Sequence, residues 1–202
     1  MNLNKSDKII KKKLIDFENE IKKIYEAGEI KAPIHLSGNN EEQLIKIFKK
    51  IKKSDWVISN WRSHYHALLH GIPASWLKKK IIEGRSMGIN SKKYKFYSSS
   101  IVGGGLPIAL GLSWSIKKMN LKEKVFIFIG DMTFETGLFH EVYKYSNNFK
   151  LPLYFIVEDN GLSTNTPTLK TWRNKQKTPK NVTYYKYKRK FPHHGTGNWV
   201  LF

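Results

Sequence analysis

Two oxygen-bearing side chains stand directly behind the two most apolar stretches of this 202-residue chain: Asp131 after VFIFIG (125–130) and Asn160 after LPLYFIVED (151–159). If both stretches are parallel strands joined by a helix, both side chains emerge at the carboxyl edge of one sheet, where α/β proteins bind ligands. One carboxylate, one amide oxygen and a nearby backbone carbonyl are hard donors. They are too few to hold Mg2+ alone and sufficient if a diphosphate completes the octahedron. A helix starting near Thr133 would turn its unpaired N–H groups toward the same anion. A plainer role for Asp131, as a helix N-cap, competes at this point.

Other residue patterns carry less. His66 and His70 lie four apart on a predicted helix, a spacing that could bind metal, but neither a third ligand nor an H-E-x-x-H pattern accompanies them. The glycines of IVGGG (101–105) more often serve close helix packing than phosphate contact. The absence of cysteine excludes disulfides, thiolate zinc sites and a cysteine nucleophile, and is compatible with a reducing compartment.

The elements that must position Asp131 and Asn160 are legible from periodicity. Ile9, Ile10, Leu14, Phe17, Ile21, Ile24 and Tyr25 recur at three- and four-residue steps, predicting a helix over 6–27 closed by Gly28. A second helix is expected over about 40–53, a short strand over 55–59, a helix ending at Gly71 and another over 73–83. Residues 84–100 read as a polar loop, and a tightly packed helix should run from Val102 to Ile116. The strand at 125–129, the stripe Phe134, Leu138, Phe139, Val142 and Tyr143, and the strand before Asn160 make a βαβ unit with a parallel sheet. Beyond residue 168, KTWRNKQKTPKN reads as a basic connector, VTYYKYKRKF as an edge strand and HHGTGN as a loop.

Composition bounds the partners. Apolar residues make up 40% and aromatics 13%, which fits a folded domain. The formal charge of +20 would ordinarily point to nucleic acid or an anionic surface. Only four of the 36 basic residues are arginine, however, and bidentate phosphate or base recognition prefers arginine. Nucleic acid is therefore not the expected partner. With no apolar run behind the charged N-terminus and no spanning segment, a soluble, cytoplasmic protein is expected.

The stretch GDMTFETGLFHEVYKYSNNFKLPLYFIVEDNGLSTN (130–165) resembles the thiamine diphosphate motif of the alpha subunit of 2-oxoacid dehydrogenase E1 components. Further matches follow in the family's order along the chain: IHLSGNNE (34–41), NWRSHYHAL (60–68), SIVGGGLPIALG (100–111), FHE (139–141), KLP (150–152) and DNG (159–161). The resemblance covers residues 17–168. It implies an α/β fold, a doubly wound parallel sheet of the thiamine diphosphate-binding type, as one domain over 1–202. An N-terminal helical arm would occupy 1–30, and a shortened connector, edge strand and loop 169–202.

The resemblance further implies thiamine diphosphate and Mg2+ as cofactors, with Asp131, Asn160 and the Leu162 carbonyl on the metal. Gly130, Met132 and Thr133 would contact the diphosphate through the backbone, Ser100 and Val102 the aminopyrimidine, and Trp61 and Arg62 the phosphates. His35 would face a small 2-oxo acid substrate, with His64 nearby and His194 in the loop after FP. The glutamate that activates the cofactor belongs to a beta-type, pyrimidine-binding partner subunit. The implied protein is a 2-oxo acid dehydrogenase or decarboxylase, with a transketolase-like half-enzyme or a noncatalytic, degenerate subunit as alternatives. Departures from the family's pattern are Met132 for a glycine, Glu135 for the usual asparagine, Gly88 where histidine is frequent, and Thr196 for a histidine.

Overall fold

A computed structural model describes residues 3–173 and 177–201. In chain order it contains α1 (Lys5–Glu26), α2 (Glu41–Phe48), β1 (Trp56–Ser59), α3 (His64–His70), α4 (Ala74–Ile82), β2 (Asn90–Ser91), β3 (Phe96–Ser98) and α5 (Gly105–Lys118). There follow β4 (Val125–Gly130), α6 (Asp131–Phe134), α7 (Gly137–Asn148), β5 (Leu153–Asp159), β6 (Leu162–Ser163), β7 (Thr166–Pro167), α8 (Thr168–Trp172) and β8 (Val182–Lys186).

Six strands form one sheet in the order β2-β3-β1-β4-β5-β8, parallel throughout except for the outer β2–β3 pair. Because successive residues of a strand face opposite sides, a strand covered on both faces must be apolar at every position. β4 does this: Phe126 and Phe128 pack with α1 to α4 on one face, while Val125, Ile127 and Ile129 pack with α5 and α7 on the other. The fold is thus an α/β, doubly wound sheet. Gly105 explains how closely α5 approaches, since a Cβ there would lie 3.0 Å from Ile58 Cγ2.

Three expectations shift. The loop expected over 84–100 holds β2 and β3, and β3 is an interior strand. Its polar Ser98 is tolerated because its hydroxyl accepts from Ile89 N (2.8 Å) and donates to the Met87 carbonyl (3.0 Å). α2 stops at Phe48, five residues short of the expected end. The stripe that starts at Phe134 spans two helices, because Thr136 breaks it and caps α7 by accepting from Phe139 N (3.4 Å). The helix α1 packs its Leu14, Phe17 and Ile21 face into the core. Residues 174–176 of the basic connector lie outside the described residues. No helix among the described residues is long and apolar enough to cross a membrane.

Candidate functional site

The chain runs from β1 to β3 on one side and then to β4 on the other, so the strand order reverses between β1 and β4. Such a switch point leaves a crevice at the carboxyl ends of the strands. A cleft lies there. Its walls are the segments leaving β1 (Ser59 to Arg62), β3 (Ser99 and Ile101 to Gly103), β4 (Gly130, Met132, Thr133) and β5 (Asn160, Leu162 to Thr164), with Tyr187 and His193 closing it. Gly103 is required at the entry to α5: its φ is +73°, and a Cβ would meet Leu138 at 3.0 Å.

Gly130 of β4 is level with Glu158 of β5, so Asp131 and Asn160 leave adjacent strands at neighbouring levels of one sheet edge. Asn160 lines the cleft, and its Oδ1 accepts from Leu162 N (3.0 Å), which turns the chain there. Asp131 is buried behind Gly130 and Met132, and its Oδ2 accepts from the Thr168 hydroxyl. Because α6 is a single turn and Thr136 caps α7, the helix expected to start near Thr133 offers at this point only the N–H groups of one turn.

Trp61 and Arg62 line the cleft from the β1 side. The Trp61 indole donates to the Ser100 carbonyl, which leaves Ser100 outside the cleft wall while Val102 stays within it. Arg62 Nη2 donates to the carbonyls of His193 (3.0 Å) and Pro192 (3.5 Å), tying down the loop after FP. Its Nε is buried without a hydrogen-bond partner among the described residues, as are His35 Nδ1 and His193 Nδ1. His35 is buried between Trp61 and His193, with ring centroids 5.1 and 4.8 Å away. Burial, reinforced by the Arg62 cation, pushes its pKa down to about 3, so its imidazole is neutral at pH 7. His193 is lowered for the same two reasons.

The other histidines sit elsewhere. His64 is fully buried: its Nδ1 lies 3.0 Å from Glu18 Oε2 and its Nε2 2.9 Å from Ser86 Oγ. His194 is exposed beside His193, which is the loop residue that lines the cleft. His66 Nδ1 lies 2.7 Å from Ser59 Oγ and its Nε2 3.2 Å from Glu158, while His70 Nε2 faces the Asp55 carbonyl at 3.1 Å. Sequence reasoning did not single out Glu158, Tyr187 or Thr168, and of the His193-His194 pair it chose His194. For Glu158 a signal existed, a charge inside an otherwise apolar strand; there it accepts from Tyr185 OH and Asn40 Nδ2 (3.2 Å).

The neutral burial of His35 and His70 has a measurable consequence. Desolvation lowers His70 to about 4, with the Lys53 cation adding to the effect. Both bind protons more readily in the unfolded chain, where the value is about 6.5. Their contribution to stability is therefore complete above about pH 6.5 and is lost as pH falls toward 4 and 3, at up to about 1.4 kcal/mol per pH unit for each. Urea unfolding at pH 7, 6, 5 and 4 should show this slope. His70→Gln should flatten it by about half.

The donors fit an anionic ligand with a hard cation. Among the described residues no cluster of three His, Cys, Asp or Glu side chains could hold a metal by itself. An all-oxygen set of Asp131, Asn160 and a backbone carbonyl suits Mg2+ once a ligand supplies further oxygens. The unpartnered Arg62 Nε offers a cationic donor to such a ligand.

The fold and the cleft define an α/β domain with an open crevice at the sheet's switch point. The chain belongs to the Dehydrogenase E1 component family, whose profile matches residues 11–185. It is similar to the pyruvate dehydrogenase E1 component subunit alpha-3, chloroplastic, of Arabidopsis thaliana: 29% identical over 160 residues, 71% of this chain and 37% of that one. The pyruvate dehydrogenase E1 component subunit alpha of Rickettsia typhi is 29% identical over 161 residues, 74% of this chain and 49% of that one. The chain thus spans between about a third and a half of the length of these relatives. A solved structure from Mycobacterium smegmatis, described as that of a candidate thiamin diphosphate-dependent enzyme, covers 59% of this chain and 20% of its own. At 18% identity and a TM-score of 0.44 that likeness carries no argument.

Proposed function

We propose that this chain is the diphosphate-binding subunit of a thiamine diphosphate- and Mg2+-dependent 2-oxo acid dehydrogenase, completed by a beta-type partner that brings the pyrimidine-binding domain and the activating glutamate. The observation that carries this reading is that Asp131 and Asn160 leave adjoining strand ends at one sheet edge, Asn160 and the unpartnered Arg62 Nε belonging to the switch-point cleft and Asp131 lying buried between the wall residues Gly130 and Met132. Family membership favours it over a transketolase-like half-enzyme.

In this reading Asp131, Asn160 and the Leu162 carbonyl hold Mg2+, and Arg62 balances diphosphate charge. Gly130, Met132 and Thr133 would contact the diphosphate, Trp61 would reach the phosphates beside Arg62, and Val102 would meet the aminopyrimidine, with Ser100 behind Trp61. When bound, thiamine diphosphate supplies the electron sink for decarboxylation of a small 2-oxo acid. His35, neutral at pH 7 and packed against the cleft residues Trp61 and His193, would act as a neutral hydrogen-bonding group through Nδ1 rather than as a base. His64 positions the neighbouring backbone through Glu18, and the 193–194 loop closes the site with His193 inward. The cytoplasm is the proposed compartment, although the Arabidopsis relative is named chloroplastic.

Isothermal titration of the chain with thiamine diphosphate, alone and together with its partner subunit, tests the reading. Binding should require Mg2+ and should weaken at least about tenfold in Asn160→Ala. No heat under any of these conditions would defeat it. A second reading, a noncatalytic subunit, is favoured by one observation: the Met132 side chain lines the cleft where the family has glycine. Binding without turnover in the assembled complex, restored by Met132→Gly, would support that alternative.

A further inference from the structure

The hairpin β6–β7 returns the chain to the mouth of the cleft just after Asn160. Thr168 N donates to the Gly161 carbonyl (3.0 Å), which fixes where α8 begins. There the Thr168 side chain is fully buried, and its hydroxyl donates to Asp131 Oδ2. At the far end of the same short helix, the Trp172 indole N–H points at Met132 Sδ, 3.1 Å away. One five-residue helix therefore grips two consecutive residues of the β4 exit, and the grip on the first falls on the carboxylate assigned to the cation.

We propose that Thr168 is a positioning residue for Asp131: its hydroxyl fixes the plane of the carboxylate so that the cation site is formed before Mg2+ arrives. The inference rests on the reading under Proposed function. A carboxylate can rotate about its last bond, and an outer hydrogen bond that sets this rotation also sets the direction in which it offers oxygen to a cation. The Thr168 hydroxyl comes from the segment that follows Asn160, so the same tie keeps the two metal-side residues in register. Partners of this kind change metal affinity by about 10- to 100-fold when removed.

Two substitutions separate the hydroxyl from the shape. Thr168→Val keeps the packing and loses the donor; Thr168→Ser keeps the donor and loses a methyl. Thiamine diphosphate binding is titrated calorimetrically at a series of Mg2+ concentrations, with the partner subunit present, and apo-protein unfolding is recorded for each variant. The expected result is a 10- to 100-fold rise in the Mg2+ concentration needed by Thr168→Val, with full binding recovered at high Mg2+, and a value within about threefold of the parent for Thr168→Ser. A merely structural role would lower the unfolding midpoint without moving the Mg2+ requirement.

An unchanged Mg2+ requirement in Thr168→Val overturns the proposal, as does a Ser variant as impaired as the Val variant. If Thr168→Val does not fold, Thr168→Ala takes its place against the same Ser control, with the same two outcomes. Absence of binding by the parent chain defeats the functional reading itself and this inference with it. Parent binding with an unaffected Val variant defeats this inference alone.

Discussion

Asp131→Ala is expected to abolish Mg2+-dependent binding of thiamine diphosphate, weakening it by more than about 100-fold, beyond what loss of an outer hydrogen-bonding partner costs. The carboxylate is the sole anionic donor proposed for the cation, and the remaining Asn160 and Leu162 oxygens are neutral. The same substitution leaves the Thr168 hydroxyl, fully buried, without its acceptor, which costs about 1–3 kcal/mol of stability. Asp131→Asn separates the two effects. The amide oxygen can still accept from Thr168, so stability should stay near the parent's while binding falls. Calorimetric titration together with urea unfolding of both variants reads the pattern; an Asn variant that binds like the parent would contradict the metal assignment.

The second large effect is expected far from the cleft. Glu18 of α1 is 1% exposed and accepts from Ser37 N (2.8 Å) while its carboxylate faces His64 Nδ1 at 3.0 and 3.1 Å. Ser37 lies two residues beyond His35, and His64 two beyond Arg62, so one buried carboxylate braces both the segment that brings Arg62 to the cleft and the one that packs His35 behind Trp61 and His193. Glu18→Ala strands a buried histidine and a buried N–H together and should cost about 3–5 kcal/mol, read as a shift in the urea midpoint. Glu18→Gln, which can still accept from Ser37 N, should cost less.

How much of this was legible depended on where partners lie in the chain. β4 and β5 announced themselves because strands covered on both faces need long apolar runs, and Asp131 and Asn160 stood out as the polar residues directly behind those strands. β3 did not, because a three-residue strand ending in Ser98 is satisfied by Ile89 and Met87, contacts that no local pattern encodes. His66 and His70 have a metal-capable spacing, yet their partners are Ser59, Glu158 and the Asp55 carbonyl, drawn from across the fold. The break between α6 and α7 was in principle readable, since Thr136-Gly137 is a capping signal, but the apolar stripe running through it hid the stop. Thr168 escaped notice because its contact with Asp131 exists only once the β6–β7 hairpin has turned back.

The cleft is walled by segments from five different strand ends, so no fragment of the sheet can form it. Any ligand held there binds the finished fold and not the unravelled chain, and mass action then lends the fold about 2.7 kcal/mol at a concentration of 100 times Kd. The empty protein is therefore the form that proteases digest first. Supply of the ligand would set how long each copy survives in the cell.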